Sequence, residues 1–228
     1  TLTESVGKLR GDPGTEVVLS VVTEKAAQPK QVALKREIIA IPTVESASLD
    51  NGVGYLKIRN FQDDTSRCLN DHLKRLKTAN KIKGLIIDLR NNSGGLLDQA
   101  IEVADKFLDK GPIVVTVGPS GHPREVKEAI KSDTDEDAYP IVVLVDAGSA
   151  SGAEIVAGAL KENNRAVITG DRSFGKGSVQ QLIELMDGSA LKLTIAKYLT
   201  PLFTDIQSVG ITPDIKLVPA IIAKDNIN

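Results

Sequence analysis

From residue 53 onward, short apolar runs alternate with stretches in which apolar residues recur every three or four positions. "VGYLKIRNF" reads as a strand, and "TSRCLNDHLKRLKTAN" as a helix with Leu69, Leu73 and Leu76 on one stripe. "GLIIDL" reads as a buried strand, and "LLDQAIEVADKFLDK" as a helix with Leu97, Ala100, Ile101, Ala104 and Leu108 facing inward. "IVVTVG" and "YPIVVLVDA" predict two more strands, and "GAEIVAGALKENN" a helix whose small residues suit close packing on a sheet. This is βαβ alternation. After Arg165 it gives way to strands: "AVITG", "SVQQLIELMDG" and "ALKLTIAKYLT". Asp187-Gly188 between the last two is a two-residue hairpin signal.

Residues 1–22 stand apart as one short helix, a Gly-Asp-Pro-Gly turn and one strand, too little to close a core. Residues 119–138 form a polar excursion between two strands, read as a lid or hairpin tip. Within it, Asp133, Asp135 and Asp137 begin like a calcium loop, but the sixth position is Ala138 and the twelfth Leu144, which favours a solvated acidic loop. No internal repeat or low-complexity tract occurs.

With 228 residues and 41% hydrophobic content, the chain can bury a substantial core. Lys plus Arg number 28 against 30 for Asp plus Glu, and aromatics are 3%, which gives neither a basic footprint nor stacking platforms for nucleic acid. No apolar run approaches the ~20 residues of a membrane span, and residues 1–15 lack the order of a signal peptide. The single Cys68 excludes an internal disulfide and a cysteine zinc site, and its helical spacing predicts a core position. No metal or cofactor is expected.

"GDRSFGKGS" has the Gly, four residues, Gly-Lys spacing of a phosphate-binding loop from Gly170 to Lys176, and Asp88 at the end of "GLIID" resembles the acid that assists magnesium there. Gly177 stands where that loop needs Ser or Thr, and the acid-bearing strand comes before the loop rather than after it. Nucleotide binding is therefore a remote alternative. "VDAGSASGAEIVAGAL" puts Ser151 at a strand-to-helix turn, where free helix amides favour developing negative charge. Helix capping by Ser149 or Ser151 is the competing reading. Neither His72 nor His122 looks held beside a buried acid, so a lysine with a depressed pKa is the candidate base. Lys176, wrapped by Gly175 and Gly177, follows the strand after the Ser151 helix, and Gln180 lies four residues on, an even spacing that predicts a shared strand face. Gly94 and Gly95 close a second strand-to-helix turn, and such turns gather at the carboxyl edge of an α/β sheet.

Together, "LIIDLRNNSGGLLDQAIEVAD", "GSASGAEIVAGAL", "GDRSFGKGSVQQ" and "YLTP...IQSVGITPDI" resemble the carboxyl-terminal processing peptidases, or tail-specific proteases, over roughly residues 1–217. The resemblance implies an α/β fold: a ClpP/crotonase-like core of βαβ units with a mostly β carboxyl-terminal part, preceded by a partial PDZ domain. It divides the chain into a PDZ remnant (1–22), connecting strands or linker (23–52), peptidase core (53–217) and tail (218–228). The first half of the PDZ domain, with its carboxylate-binding loop, is expected to be missing. The implied activity is a serine endopeptidase that cuts proteins near apolar, often disordered carboxyl termini. Ser151 matches the nucleophile, Lys176 the base at the family's interval of 25 residues, Gln180 the lysine's support, and the amides of Gly95 and Gly152 the oxyanion hole. Homo-oligomerisation and an extracytoplasmic bacterial setting, periplasm or cell surface, are further expectations. The sequence departs from the family at Ser93, where proline is common, at Gly152, where alanine is frequent, and at Leu202-Phe203, where Ser-Gly is usual. Gly152 predicts a looser turn after the nucleophile. A latent or non-catalytic binding scaffold on the same fold is the rival reading.

Overall fold

The apolar runs become strands, and where each strand finds its partner decides the architecture. A computed structural model describes residues 2–22, 28–38, 42–79, 82–118, 123–131 and 139–217. The chain divides into two compact units, Thr1–Ile41 and Pro42–Asn228. The division falls inside residues 23–52, which the sequence reading leaves as connecting strands or linker.

In the first unit, helix α1 (Leu2–Leu9) precedes an antiparallel pair, β1 (Glu16–Val21) and β2 (Lys30–Lys35). The Arg36 guanidinium donates to the carbonyls of Leu9 (2.9 Å) and Lys8 (3.3 Å) at the end of α1, and to the hydroxyl of Thr15 (2.9 Å) in the turn. Carbonyls that a helix end leaves without partners are thus satisfied by a cation, the charge that end favours.

The second unit is built on a six-stranded sheet of order β12-β9-β8-β5-β4-β3. Its strands are β3 (Val44–Leu49), β4 (Val53–Ile58), β5 (Gly84–Asp88), β8 (Ile141–Val145), β9 (Ala166–Gly170) and β12 (Ile215–Lys216). All neighbours run parallel except β3 against β4. Helices α2 (Thr65–Ala79), α3 (Leu97–Asp105) and α4 (Gly152–Glu162) supply the crossovers. Leu69, Leu73 and Leu76 of α2 are buried as their stripe predicts. In α3, Ala100 and Ala104 are buried with Val103, while Leu97 and Ile101 are partly buried; Leu108 is buried just beyond the helix end.

The run at Pro112–Val117 departs from simple βαβ alternation. As β6 it leaves the large sheet and joins a four-stranded antiparallel sheet, order β10-β11-β6-β7, with β7 (Pro123–Glu128), β10 (Ser178–Glu184) and β11 (Ala190–Leu199). Both α3 and α4 pack against β6 as well as lying between strands of the large sheet in sequence. Helix α4, packed against both β9 and β6, is therefore buried all round from Gly152 to Leu160, and its glycines and alanines allow that closeness.

Three local expectations change. The β10–β11 hairpin is closed by residues 185–189, with Leu185 and Gly188 amides bonded within the loop, so Asp187-Gly188 is part of a longer turn. Strand β7 occupies part of the polar excursion, whereas Asp133, Asp135, Asp137 and His122 lie outside the described residues. Cys68 is only half-buried against the core, its thiol 3.4 Å from Asp64 Oδ2. Among the described residues no helix is long and apolar enough to cross a membrane.

Phe107 is fully buried in this core. Phe107→Ala should cost about 3–5 kcal/mol in urea-induced unfolding through lost burial and the cavity left behind; a loss below about 1 kcal/mol would mean the site collapses around the gap.

Candidate active site

Strands β5 and β8 are parallel neighbours, so the turns that follow them emerge side by side at the carboxyl edge of the sheet. After β8, Asp146 Oδ1 accepts the amides of Asn91 and Gly148, both at 2.9 Å, locking this turn to the one after β5. The Ser149 hydroxyl donates to Leu89 O (2.8 Å) and accepts the Asp146 amide (2.9 Å), and it is fully buried. Ser149 is thereby committed to structure. Ser151 is half-buried at the mouth of α4, with φ 55° and ψ −114°, a conformation costly for a residue with a side chain.

What holds Ser151 there is Glu154, one turn into α4 and fully buried. Its Oε2 accepts the backbone amides of Ser151 and Lys176, each at 2.8 Å. Its Oε1 accepts the Ser173 hydroxyl and the Gly175 amide, each at 2.6 Å. Ser173 Oγ in turn accepts the Ile211 amide at 2.6 Å. One carboxylate therefore fixes the serine turn to the loop that carries Lys176, and the two amide nitrogens it shares are no farther apart than those two bonds together. Sequence reasoning missed Glu154, although Ser-x-x-Glu at a helix start is a recognisable signature.

The same carboxylate removes the nucleotide alternative. Gly175 and Lys176 amides that would cradle a phosphate already bind an anion, and the chain continues into β10 rather than into a helix. The Lys176 side chain is exposed, and among the described residues no hydrogen bond joins it to the Ser151 hydroxyl. Gln180 is exposed on β10. Lys176 precedes that strand, so alternation along β10 does not by itself put the two side chains on one face.

The turn after β5 approaches Ser151 from the other side. Asn92, fully buried, accepts the Gly94 amide (2.8 Å), donates to Ile58 O (2.9 Å) and offers its carbonyl to the Ala150 amide (2.9 Å). A Cβ on Gly94 would lie 2.7 Å from Ser151 Cβ, and one on Gly95 would lie 2.1 Å from Phe61 O, so neither position admits a side chain. The Gly94 amide is spent on Asn92, whereas that of Gly95 has no partner among the described residues. At Gly152 a Cβ would come within 3.0 Å of the Phe61 ring and 3.3 Å of Ala100 Cβ. The glycine there sits in close packing against both neighbours.

Behind the Gly94-Gly95 turn, Asp88 is buried and receives Arg90 through Nε (3.0 Å), Nη2 (2.7 Å) and its amide (2.9 Å), with Tyr55 Oη at 2.6 Å and Lys57 Nζ at 3.4 Å. Burial alone would raise the Asp88 pKa; the hydrogen bonds from Arg90 and Tyr55 and the Lys57 charge together outweigh it and hold the carboxyl at about 2. His72 is bonded to Ser46 Oγ at 2.7 Å on the α2 side of the sheet, and burial followed by Arg75 lowers its pKa. Among the described residues no cluster of His, Cys, Asp and Glu could hold a metal.

Fold and site define an α/β protein with a strained serine at a helix mouth, faced by a glycine turn. Residues 52–217 match the model of peptidase family S41. A carboxy-terminal-processing protease of Bartonella bacilliformis is 43% identical over 222 residues, covering 94% of this chain and 50% of that protein. The chloroplastic carboxyl-terminal-processing peptidase 2 of Arabidopsis thaliana is 35% identical over 222 residues, covering 94% of this chain and 42% of that protein. Among solved structures, a photosystem II D1 C-terminal processing protease superposes with a TM-score of 0.70 at 30% identity, over 95% of this chain and 59% of that one. The chain belongs to peptidase family S41. It spans about half the length of the curated relatives it matches.

Because the folded Asp88 pKa lies below its unfolded value near 3.8, its contribution is complete above that value and is lost as pH falls through about 2. The loss should amount to about 2 kcal/mol, at about 1.4 kcal/mol per unit. Urea unfolding at pH 5 and pH 2 should show that part of the acid destabilisation absent from Asp88→Asn; equal acid sensitivity in both proteins would contradict the assignment.

Proposed function

We propose that this chain carries the catalytic unit of a serine endopeptidase that processes the carboxyl-terminal tails of proteins through a Ser151/Lys176 dyad. The observation that carries the proposal is the shared Glu154 Oε2, which tethers the amides of both residues. Family membership and the names of the relatives support it.

In the proposed reaction, neutral Lys176 takes the Ser151 hydroxyl proton as Ser151 Oγ attacks the peptide carbonyl. The amides of Gly95 and Gly152 receive the oxyanion. Lys176 then gives the proton to the leaving amine, and water, deprotonated by the same lysine, releases the acyl group. Lys176 is exposed, so in this reading the bound substrate is what covers it and strips its hydration. Gln180 is the candidate to orient the amine once that happens. Its exposure leaves it free to reach either the lysine or the substrate.

The same reading takes unit 2 as a ClpP/crotonase-like core. It takes residues 1–22, with α1 and β1, as the end of a PDZ domain that would gather substrate tails. Apolar or disordered protein termini as substrates, homo-oligomerisation and an extracytoplasmic setting belong to this proposal by resemblance. The open Ser151–Lys176 pair favours one rival, a latent or purely binding protein on this fold.

Cleavage of an unfolded protein with an apolar carboxyl tail, without added nucleotide or metal, separates them. Ser151→Ala and Lys176→Ala should each lower the rate by roughly a thousandfold or more while folding is retained. Equal cleavage by all three proteins would refute the dyad, and no cleavage by any would favour the binding reading.

A further inference from the structure

Along the carboxyl edge of the large sheet the strand order is β5, β8, β9, β12, and each strand end carries one part of the site. The glycine turn follows β5, Ser151 follows β8, and residues 171–176 follow β9. Between this last loop and the segment before β12 lies a cavity of about 610 Å³, lined by Ala147, Arg172, Phe174, Thr212, Pro213 and Lys216, among others. Strands lie ~4.8 Å apart and an extended peptide advances ~3.3 Å per residue, so a peptide crossing the strand ends from Ser151 reaches the cavity within about three residues.

Of its two most telling residues, Phe174 and Arg172, the first is held in place by the site itself. Phe174 is 66% exposed, yet its amide donates to Ser149 O at 2.9 Å and its neighbours Ser173 and Gly175 are bound by Glu154. A phenyl ring is thereby presented to solvent on a fixed backbone, at the cost that exposing an aromatic surface carries. Arg172 is exposed, and among the described residues its guanidinium has no ion pair or hydrogen bond. The other charges on the lining, Lys216 and Asp171, face each other at 3.8 Å. The cavity is left with one uncommitted guanidinium beside an apolar wall, the pairing that recognises a carboxylate on an apolar stem.

We infer that this cavity is a specificity subsite for a carboxylate on the bound peptide within about three residues of the attacked bond, with Arg172 as its cation and Phe174 as its apolar wall. The carboxylate comes from an acidic side chain or from the peptide's own terminus. The inference rests on the peptidase reading in taking the bound peptide as substrate.

The test uses Ser151→Ala, which binds without cutting, and fluorescent peptides of one sequence. These are a neutral amidated form with Gln at the varied positions, single Gln-to-Glu versions scanned over three residues on either side of the cut, and a free-acid form. At least one carboxylate form should bind about fivefold to tenfold more tightly than the neutral one. The gain should vanish when Arg172→Gln is added and turn into a penalty with Arg172→Glu. A gain confined to the Glu series assigns the side chain as the source, and one confined to the free acid assigns the terminus. Equal affinity for all forms, or a gain that survives Arg172→Gln, overturns the inference. The same peptides given to the unmutated chain separate the two claims. Arg172-dependent binding without cleavage leaves the subsite standing and removes the peptidase reading; cleavage without any Arg172-dependent preference does the reverse.

Discussion

A buried carboxylate with four donors around it is the constraint on which the rest of the site depends. Glu154 lies in the first turn of α4, where the helix dipole favours a negative charge, and its four bonds bring together two backbone segments far apart in sequence. Removing a partner from such a set strands desolvated donors at about 1–3 kcal/mol each. The strained φ of Ser151 persists because its own amide is one of those donors. Geometry that a serine would not adopt alone is thus enforced by a group that takes no direct part in the proposed chemistry.

A second set of bonds does the same for the facing turn. Asp146 and Asn92 tie the segment after β5 to the segment after β8, and the close approach of Gly94 to Ser151 follows from that tie. Asp88 and Arg90 anchor the start of the turn. The proposed oxyanion donors are consequently placed by backbone held on polar side chains, while the lysine and glutamine that would complete the chemistry remain at the surface. A rigid acceptor for the transition state and an adaptable base make sense together if substrate binding provides the missing burial.

Much of this was legible in the sequence because each element of the large sheet carries its own periodicity. Runs such as Gly84–Asp88 and the stripe Leu69, Leu73, Leu76 carry their structure in their spacing, and Gly94-Gly95 and Ser151 announce turns through residue type. The placement of β6 in a second sheet was hidden, since an apolar run does not say which edge it will pair with. Glu154 reads in sequence as an ordinary helix-start acid; only the fold reveals that Ser173, Gly175 and Lys176 return to it. Whether Gln180 shares a face with Lys176 is not something alternation can say, because the strand begins only after Lys176.

The central claim is that Glu154 couples the serine turn to the lysine loop, and amide hydrogen exchange on Glu154→Ala beside the unmutated chain tests it most directly. The account predicts that the amides of Ser151, Gly175 and Lys176 lose protection together while those of Leu85 and Ile87 in β5 keep theirs. Unchanged protection, or loss in one segment without the other, would show that the two are held independently and would contradict it.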